Sequence, residues 1–329
     1  MSVWKEIVDY TVPSNTTSVV LDNFGTITKD DFISFRITHI NPIANGNELK
    51  LFPNNNTTET NYHTQELQGS GSTVSASRVN RQRFINTNDN QPNFVYGYLK
   101  LSENDKFNIF SNSYRELTNA FSQFSTTFYY ITSTSSFSNG ITSLTLASQR
   151  TNGLGAGSRI QIYKLAAKKV ADITVASNTT QVDITGLDIK KGDEYLLVAD
   201  MINGASNDNV GVFPNDLTTS SQYFTQRIRG AGSSASAERA NVNRVFTVGE
   251  GGQSGVGYAH IKISNIGAYT AQGYNIFNAG TSTPQIFNEF VSSTYENLTT
   301  ITKLNIKANN GNLSNGHRYQ LYKLYEGGN

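Results

Sequence analysis

The chain reads Tyr62-His63-Thr64-Gln65, then Gly69-Ser70-Gly71-Ser72, then Ser75-Ala76-Ser77-Arg78-Val79-Asn80. From Tyr223, 161 residues after Tyr62, it reads Tyr223-Phe224-Thr225-Gln226, then Gly230-Ala231-Gly232-Ser233, then Ser236-Ala237-Glu238-Arg239-Ala240-Asn241. The same offset holds across the whole stretch. Such a constant offset indicates that one unit of sequence occurs twice.

The duplication extends toward both ends of the chain. Phe52-Pro53-Asn54 recurs as Phe213-Pro214-Asn215, and Ile162-Tyr163-Lys164-Leu165 recurs as Leu321-Tyr322-Lys323-Leu324. Each copy is long enough for a domain with its own core. The sequence therefore predicts two domains, residues 1–166 and residues 167–329.

The composition excludes several classes of partner. Charged residues make up 16% of the chain, the net charge is +1, and there is no cysteine. A chain without an excess of positive charge is a poor partner for nucleic acid or an anionic membrane surface. No apolar run is long enough to cross a bilayer. We therefore expect protein partners, with neither nucleic acid nor membrane among them.

The hydrophobic pattern is that of β-strands. Ile33, Phe35 and Ile37 alternate with polar residues, as expected for a strand with one buried face. Only two short segments, residues 113–121 and 284–290, suggest helices. The pattern predicts an all-β fold: two tandem, internally duplicated antiparallel β-sandwich domains of the jelly-roll kind. The predicted core positions are Phe35, Leu99, Ile162, Leu197, Ile261 and Leu321.

No motif for catalysis or metal binding is present. The four histidines are not spaced as metal ligands, and no serine lies in a nucleophile motif. The sequence predicts a protein that is not an enzyme and that needs no cofactor and no metal. A hydrolase is the alternative, since paired carboxylates occur at Asp30/Asp31, Glu103/Asp105 and Asp183/Asp188.

The repeated block supplies the candidate site residues. Its arginines offer planar, multi-donor groups and its tyrosines offer amphipathic area, which suits a contact surface. The alternative is that these side chains order a long loop by bonding its backbone. Arg81, Arg83 and Arg244 present the same choice. The candidate residues are Tyr62, Gln65, Arg78 and Asn80 in the first copy, and Tyr223, Gln226, Arg239 and Asn241 in the second.

The last strand of each copy carries a recognisable ending. It reads Gly157-Ser158-Arg159-Ile160-Gln161-Ile162-Tyr163-Lys164 in the first copy and Gly316-His317-Arg318-Tyr319-Gln320-Leu321-Tyr322-Lys323 in the second. With its cysteine-free tandem β-domains rich in Asn, Ser, Thr and Gly, the chain resembles virion structural proteins of tailed bacteriophages. The resemblance implies a location in the virion, as a head-decoration protein, a head fibre or a tail component. It also implies capsid or tail proteins as partners and several copies, or a homo-oligomer, per assembly.

Two further functions fit the same pattern. A carbohydrate- or receptor-binding module is one, because jelly rolls host lectins and aromatic residues stack on sugars. The only tryptophan, Trp4, is near the terminus and is not repeated, which weakens that reading. A double jelly-roll capsid protein is the other.

Overall fold

The structure is a computed structural model that describes residues 3–43, 46–70, 73–87, 92–116, 124–202, 209–248, 254–279, 281–295 and 297–325. The described residues form β-strands and two short 3-10 turns, and no α-helix. No helix among them is long and apolar enough to cross a membrane. The chain divides into two compact units. Unit 1 is Met1–Ala166 with Gly230–Ala235 and Gly280–Pro284, and unit 2 is Ala167–Arg229, Ser236–Ala279 and Gln285–Asn329.

Unit 1 is an antiparallel β-sandwich. Its large sheet has the strand order β1-β12-β3-β8-β9-β10-β5-β6, and its small sheet has the order β2-β11-β4-β7. The strands are β1 (Trp4–Thr11), β2 (Ser18–Leu21), β3 (Phe32–Ile40), β4 (Asn47–Pro53), β5 (Tyr62–Ser70), β6 (Thr73–Val79), β7 (Ile85–Thr87), β8 (Pro92–Leu101), β9 (Lys106–Glu116), β10 (Phe124–Ser136), β11 (Leu144–Ser148) and β12 (Arg159–Leu165).

Unit 2 repeats this topology strand for strand, except that the adjoining ends of β17 and β18, residues 230–235, are grouped with unit 1. Its large sheet has the order β13-β24-β15-β20-β21-β22-β17-β18, and its small sheet has the order β14-β23-β16-β19. The strands are β13 (Lys168–Thr174), β14 (Gln181–Lys190), β15 (Glu194–Met201), β16 (Asn209–Pro214), β17 (Tyr223–Ala231), β18 (Ser234–Ala240), β19 (Phe246–Thr247), β20 (Ser254–Ile263), β21 (Tyr269–Ala279), β22 (Gln285–Ser293), β23 (Thr300–Ala308) and β24 (Arg318–Tyr325).

The core of each unit lies between its two sheets. Apolar residues from both sheets form one buried cluster in unit 1 and another in unit 2. The alternation read from the sequence is thus the alternation between an inner, buried face and an outer face. All six predicted core positions are confirmed as buried, namely Phe35, Leu99, Ile162, Leu197, Ile261 and Leu321.

The repeated Phe-Pro-Asn motif forms a turn at the end of β4 and β16. Asn54 and Asn215 adopt positive φ values of 49° and 50°, a conformation that asparagine tolerates better than most residues. The Asn54 Oδ1 atom accepts a hydrogen bond of 2.8 Å from the backbone N–H of Thr142, and Asn215 Oδ1 accepts one of 2.8 Å from Thr302. The motif therefore ties two loops together in each unit.

The Gly-Ser ending of unit 1 also has a structural role. Ser158 is fully buried, and its hydroxyl accepts a hydrogen bond of 3.0 Å from the N–H of Ile40. Ile160 and Ile162 of the same strand enter the core. The residues that carry the resemblance to phage proteins are thus residues that build the sheet.

Both helix predictions are wrong wherever the structure describes the residues. Residues 113–116 belong to β9, and residues 285–290 belong to β22; residues 117–121 lie outside the described part of the chain. Both segments pair with neighbouring strands, β9 with β8 and β10, and β22 with β21. Sheet pairing thus outweighs the weak local preference of such short segments.

Candidate functional site

The candidate residues of the first copy lie on β5, on β6 and just after β6. Tyr62 is fully buried, and its hydroxyl donates a hydrogen bond of 2.8 Å to the carbonyl of Asn56. Burial raises the pKa of the Tyr62 hydroxyl. Asn80 is exposed, and its Oδ1 lies 3.1 Å from His63 Nδ1. Tyr62 therefore anchors the loop that precedes β5.

Gln65 and Arg78 face each other across the β5–β6 ladder. Gln65 is buried and donates to the carbonyl of Ser77 at 2.9 Å. Within unit 1 it also accepts from the N–H of Gly232 at 2.8 Å, and Arg78 donates to the carbonyl of Pro284 at 2.8 Å. Burial lowers the pKa of Arg78. Both side chains thus satisfy backbone groups.

The second copy keeps only the tyrosine in the same setting. Tyr223 is fully buried and donates a hydrogen bond of 2.7 Å to the carbonyl of Leu217. Gln226, Arg239 and Asn241 are exposed. The structure thus places the two equivalent sets of candidates in different surroundings.

At least one carboxylate of each pair in the hydrolase alternative forms an ion pair. Among the described residues no group of three potential metal ligands occurs. A cation lies beside one carboxylate of each pair: Asp31 has Lys164 at 2.6 Å, Asp105 has Lys29 at 3.1 Å and Asp183 has Lys303 at 3.0 Å.

A groove of about 640 Å³ lies on the outer face of the large sheet of unit 1. This volume is within the usual range for small-molecule sites. Strands β1, β12, β3 and β8 form its floor and walls. It is lined by Trp4, Ser34, Arg36, Tyr96, Tyr98 and Tyr163, among others.

The groove forms because a small residue stands between large ones. Ser34 on β3 pairs with Tyr163 on β12 and with Tyr98 on β8. Directly opposite residues on one face of a sheet have adjacent side chains. The short Ser34 side chain therefore leaves a depression between two tyrosine rings.

Aromatic contacts fix one end of the groove. The Tyr98 ring stacks on Phe32 with centroids 5.1 Å apart, and the Trp4 ring lies 6.0 Å from Tyr98. These are distances at which aromatic pairs attract one another. Trp4, a terminal residue in sequence, is thus part of a fixed aromatic wall.

A second aromatic pair lies beside the groove. Tyr96 and Tyr114 stack with centroids 5.7 Å apart and an interplanar angle of 15°, and their hydroxyls are 3.1 Å apart. Tyr96 is 41% exposed and the neighbouring Phe94 is 55% exposed. Flat apolar ring faces are therefore accessible along β8.

Polar groups accompany these rings. The guanidinium of Arg36 lies 5.5 Å from the centroid of the Tyr163 ring, within the range of a cation–π contact. Gln161 and Thr38 also line the groove. The arrangement can stack against a flat, weakly polar ligand and donate hydrogen bonds to its edges.

The corresponding positions of unit 2 differ. Leu196 pairs with Tyr322 and His260 in the way that Ser34 pairs with Tyr163 and Tyr98. Val198 stands where unit 1 has Arg36. Unit 2 therefore has apolar side chains in place of both the small serine and the arginine that line the groove of unit 1.

Sequence reasoning missed this groove, although a signal existed. In the segment Phe94-Val95-Tyr96-Gly97-Tyr98, every second residue is aromatic. Those aromatic residues lie on the face opposite the core, whereas the solvent-exposed face of such a strand usually carries polar residues. The pattern marks an aromatic outer face, but it does not reveal Trp4 or Ser34.

No family model and no curated protein matches the chain. Among solved structures, the LG1-3 region of the laminin alpha2 chain matches with a TM-score of 0.23 and 9% identity over 98% of this chain, which spans 66% of that structure. Mouse laminin alpha1 domains LG4-5 match with a TM-score of 0.23 and 8% identity, covering 99% of this chain and 92% of that one. Ail of Yersinia pestis, in complex with a heparin analogue, has a TM-score of 0.13 and 9% identity, covering 80% and 97%. At these TM-scores the likenesses carry no argument about function.

Proposed function

We propose that this chain is a non-enzymatic structural protein of a phage virion and that the groove of unit 1 binds a carbohydrate. The observation that carries the carbohydrate part is the aromatic groove around Ser34. The virion part is supported by the resemblance of the two strand endings and by the tandem duplication of the sandwich.

A saccharide fits the groove chemically. Sugar rings present apolar C–H faces that stack on aromatic rings, and hydroxyl edges that need hydrogen-bond partners. Tyr98 and Tyr163 supply the ring faces, and Arg36 supplies donors in a planar fork. Most of the lining is uncharged, which favours a neutral or weakly acidic sugar over a highly charged polyanion.

Saccharide binding can be tested with the full chain on a glycan array, followed by titration with the best glycan. Trp4 is the only tryptophan and lies in the groove wall, so its fluorescence should change as a saccharide binds. Ser34→Leu copies the residue of unit 2 and fills the depression, and we expect it to weaken binding at least tenfold. Val74→Ser, at a 63% exposed position of unit 1 outside the groove, is the matched control.

Two results would contradict the carbohydrate proposal. One is that no glycan changes the Trp4 fluorescence at millimolar concentration. The other is that Ser34→Leu, with unchanged thermal stability, binds as tightly as the wild type.

Attachment to a particle in several copies is the second function that we propose, and the duplication favours it. Two similar units in one chain suit two related sites on a symmetric lattice, where the second contact becomes intramolecular. The net charge of +1 provides little long-range attraction, so binding should be only weakly salt-sensitive. Binding of the full chain to particles that lack it, measured at 50 mM and 500 mM salt, tests this. Loss of binding at 500 mM salt would refute the expected mode of attachment.

A further inference from the structure

Unit 2 contains a separate cavity of about 230 Å³ that three arginines line. Arg227 and Arg229 come from β17, and Arg244 comes from the segment between β18 and β19. Phe287 of β22 forms part of the wall. Three cations around one small cavity repel one another, so their convergence calls for a compensating charge.

The first two arginines are held in place by neighbouring side chains. The guanidinium carbons of Arg227 and Arg229 lie 5.1 Å and 5.7 Å from the centroid of the Phe287 ring. Two nitrogens of Arg229 donate to Gln285 Oε1, at 3.0 Å and 2.7 Å. Their positions are therefore fixed before any ligand enters, which lowers the entropic cost of binding.

The third arginine has an unsatisfied donor group. Arg244 is 5% exposed; its Nε donates to Glu289 Oε2 at 3.1 Å, and its Nη1 lies 3.4 Å from Glu238 Oε1. The buried Nη2 has no hydrogen-bond partner among the described residues. A buried donor without a partner is costly, and an acceptor in the cavity would remove that cost.

In unit 1 the equivalent arginine is neutralised by two carboxylates. Arg83 occupies the position of Arg244 and lies 3.1 Å from Glu48, with Glu66 on its other side. Unit 2 has Asn209 in place of Glu48 and Arg227 in place of Glu66. At these positions unit 2 has thus lost two carboxylates, and it has gained two cations, Arg227 and, in place of Gln68, Arg229.

Glu289 compensates only part of this change. It is fully buried beside Arg244, and burial raises its pKa to about 7. Its Oε1 lies 2.9 Å from the Thr247 hydroxyl. Glu238, which pairs with Arg227 and Arg244, is 42% exposed, so water screens its charge.

We propose that this cavity is an oxyanion-binding site, in which Arg227, Arg229 and the free Nη2 of Arg244 hold a sulfate, carboxylate or phosphate group. Guanidinium groups match the oxygen geometry of such anions. The cavity has room for the anionic group of a larger molecule. The site is specific to unit 2, because in unit 1 Glu48 and Glu66 pair with Arg83 and the position of Arg229 is held by the uncharged Gln68.

The test uses the full chain and three probes, sodium sulfate, sodium phosphate and sodium glucuronate, each at constant ionic strength against sodium chloride. Calorimetry measures the affinity, and the Arg Nε–Hε NMR signals report which arginines respond. We expect at least one probe to bind at least tenfold more tightly than chloride and to shift the signals of Arg229 and Arg244. The strongest probe identifies the ligand as a sulfate, a phosphate or a sugar carboxylate.

Two variants copy unit 1 and should therefore fold. Arg229→Gln introduces the residue found at Gln68, and Asn209→Glu introduces the residue found at Glu48. We expect binding to weaken at least fivefold in the first and at least tenfold in the second. Arg239→Gln, at an exposed position outside the cavity, is the control and should bind as the wild type does. Equal binding of chloride and all three probes, or unchanged affinity in both folded variants, would overturn the proposal.

Discussion

Phe35 and Gly97 form a cross-strand pair whose combined size should matter more than either residue alone. They lie opposite each other on β3 and β8. A Cβ atom added at Gly97 would lie 2.7 Å from Phe35 Cζ and 2.3 Å from the carbonyl oxygen of Phe110. Unit 2 has Leu197 and Ala259 at the equivalent positions, also directly opposite. Unit 1 therefore fills this part of its core with a large residue and a glycine, whereas unit 2 fills the equivalent space with leucine and alanine.

The single changes should both destabilise unit 1. Phe35→Leu shortens a fully buried side chain and should cost about 1–2 kcal/mol, between the loss of one methyl group and the loss of the ring. Gly97→Ala overpacks the core and should cost about 2–3 kcal/mol. The double variant removes the contact with the ring but keeps the contact with the Phe110 carbonyl. It should therefore cost about 1 kcal/mol less than the two single changes together.

Urea unfolding followed by Trp4 fluorescence measures this coupling. The only tryptophan lies in unit 1, so the signal reports the unfolding of that unit even if unit 2 unfolds separately. Midpoints and slopes of the wild type, the two single variants and the double variant complete the cycle. If the two costs add within about 0.5 kcal/mol, the residues do not share space and the reasoning fails.

Glu289 should contribute about 3 kcal/mol less to the stability of unit 2 at pH 8 than at pH 4, because burial raises the pKa of its carboxyl to about 7 even though Arg244 and Arg227 lower it. This contribution is complete below the ordinary glutamate pKa and is lost as the pH rises to about 7. Hydrogen exchange of β22, corrected for intrinsic rates, should therefore show that the stability difference between the wild type and Glu289→Gln changes by this amount between pH 4 and pH 8. His317 has the opposite pH dependence, since burial lowers its pKa to about 4 and its contribution is lost as the pH falls from about 6.5 toward 4. The two contributions nearly cancel in the wild type, whereas the stability of unit 2 in Glu289→Gln should rise with pH; a flat profile in that variant would contradict this. Tyr62→Phe should lower the stability of unit 1 by about 1 kcal/mol, measured by urea unfolding with Trp4 fluorescence. Tyr223→Phe should leave the unfolding midpoint reported by Trp4 unchanged.

The inner face of each sandwich could be predicted from the sequence because it depends on local alternation. Ile33, Phe35 and Ile37 show their common face without knowledge of any partner strand. The second copy then confirms the register, because Leu197 falls where Phe35 does. The short apolar stretch after residue 284 was misread because its strand character comes from pairing with β21, which no local pattern shows.

The sites could not be predicted because they depend on which strands are neighbours. Ser34, Tyr98 and Tyr163 meet only because β3 lies between β8 and β12. Arg244 appeared in the sequence as one arginine of a repeated block, and its unsatisfied donor depends on side chains from β17 and β22. Aligning the two copies position by position comes closest to revealing the arginine cavity from sequence. The alignment shows Asn209 in place of Glu48 and Arg227 in place of Glu66.

The pairing of β1 with β12 has a consequence for synthesis on the ribosome. The first strand of unit 1 pairs only with the last, with Trp4 opposite Leu165. Until β12 has emerged, β1 has no partner and β3 lacks one of its two neighbours, so the nascent unit exposes unpaired strand edges. Contacts so distant in sequence slow folding and favour transient association with other chains. Truncation a few residues before Leu165 should therefore impair folding of the first sandwich, whereas a ribosome pausing beyond residue 200 would give strands β1 to β12 time to pair before most of unit 2 appears.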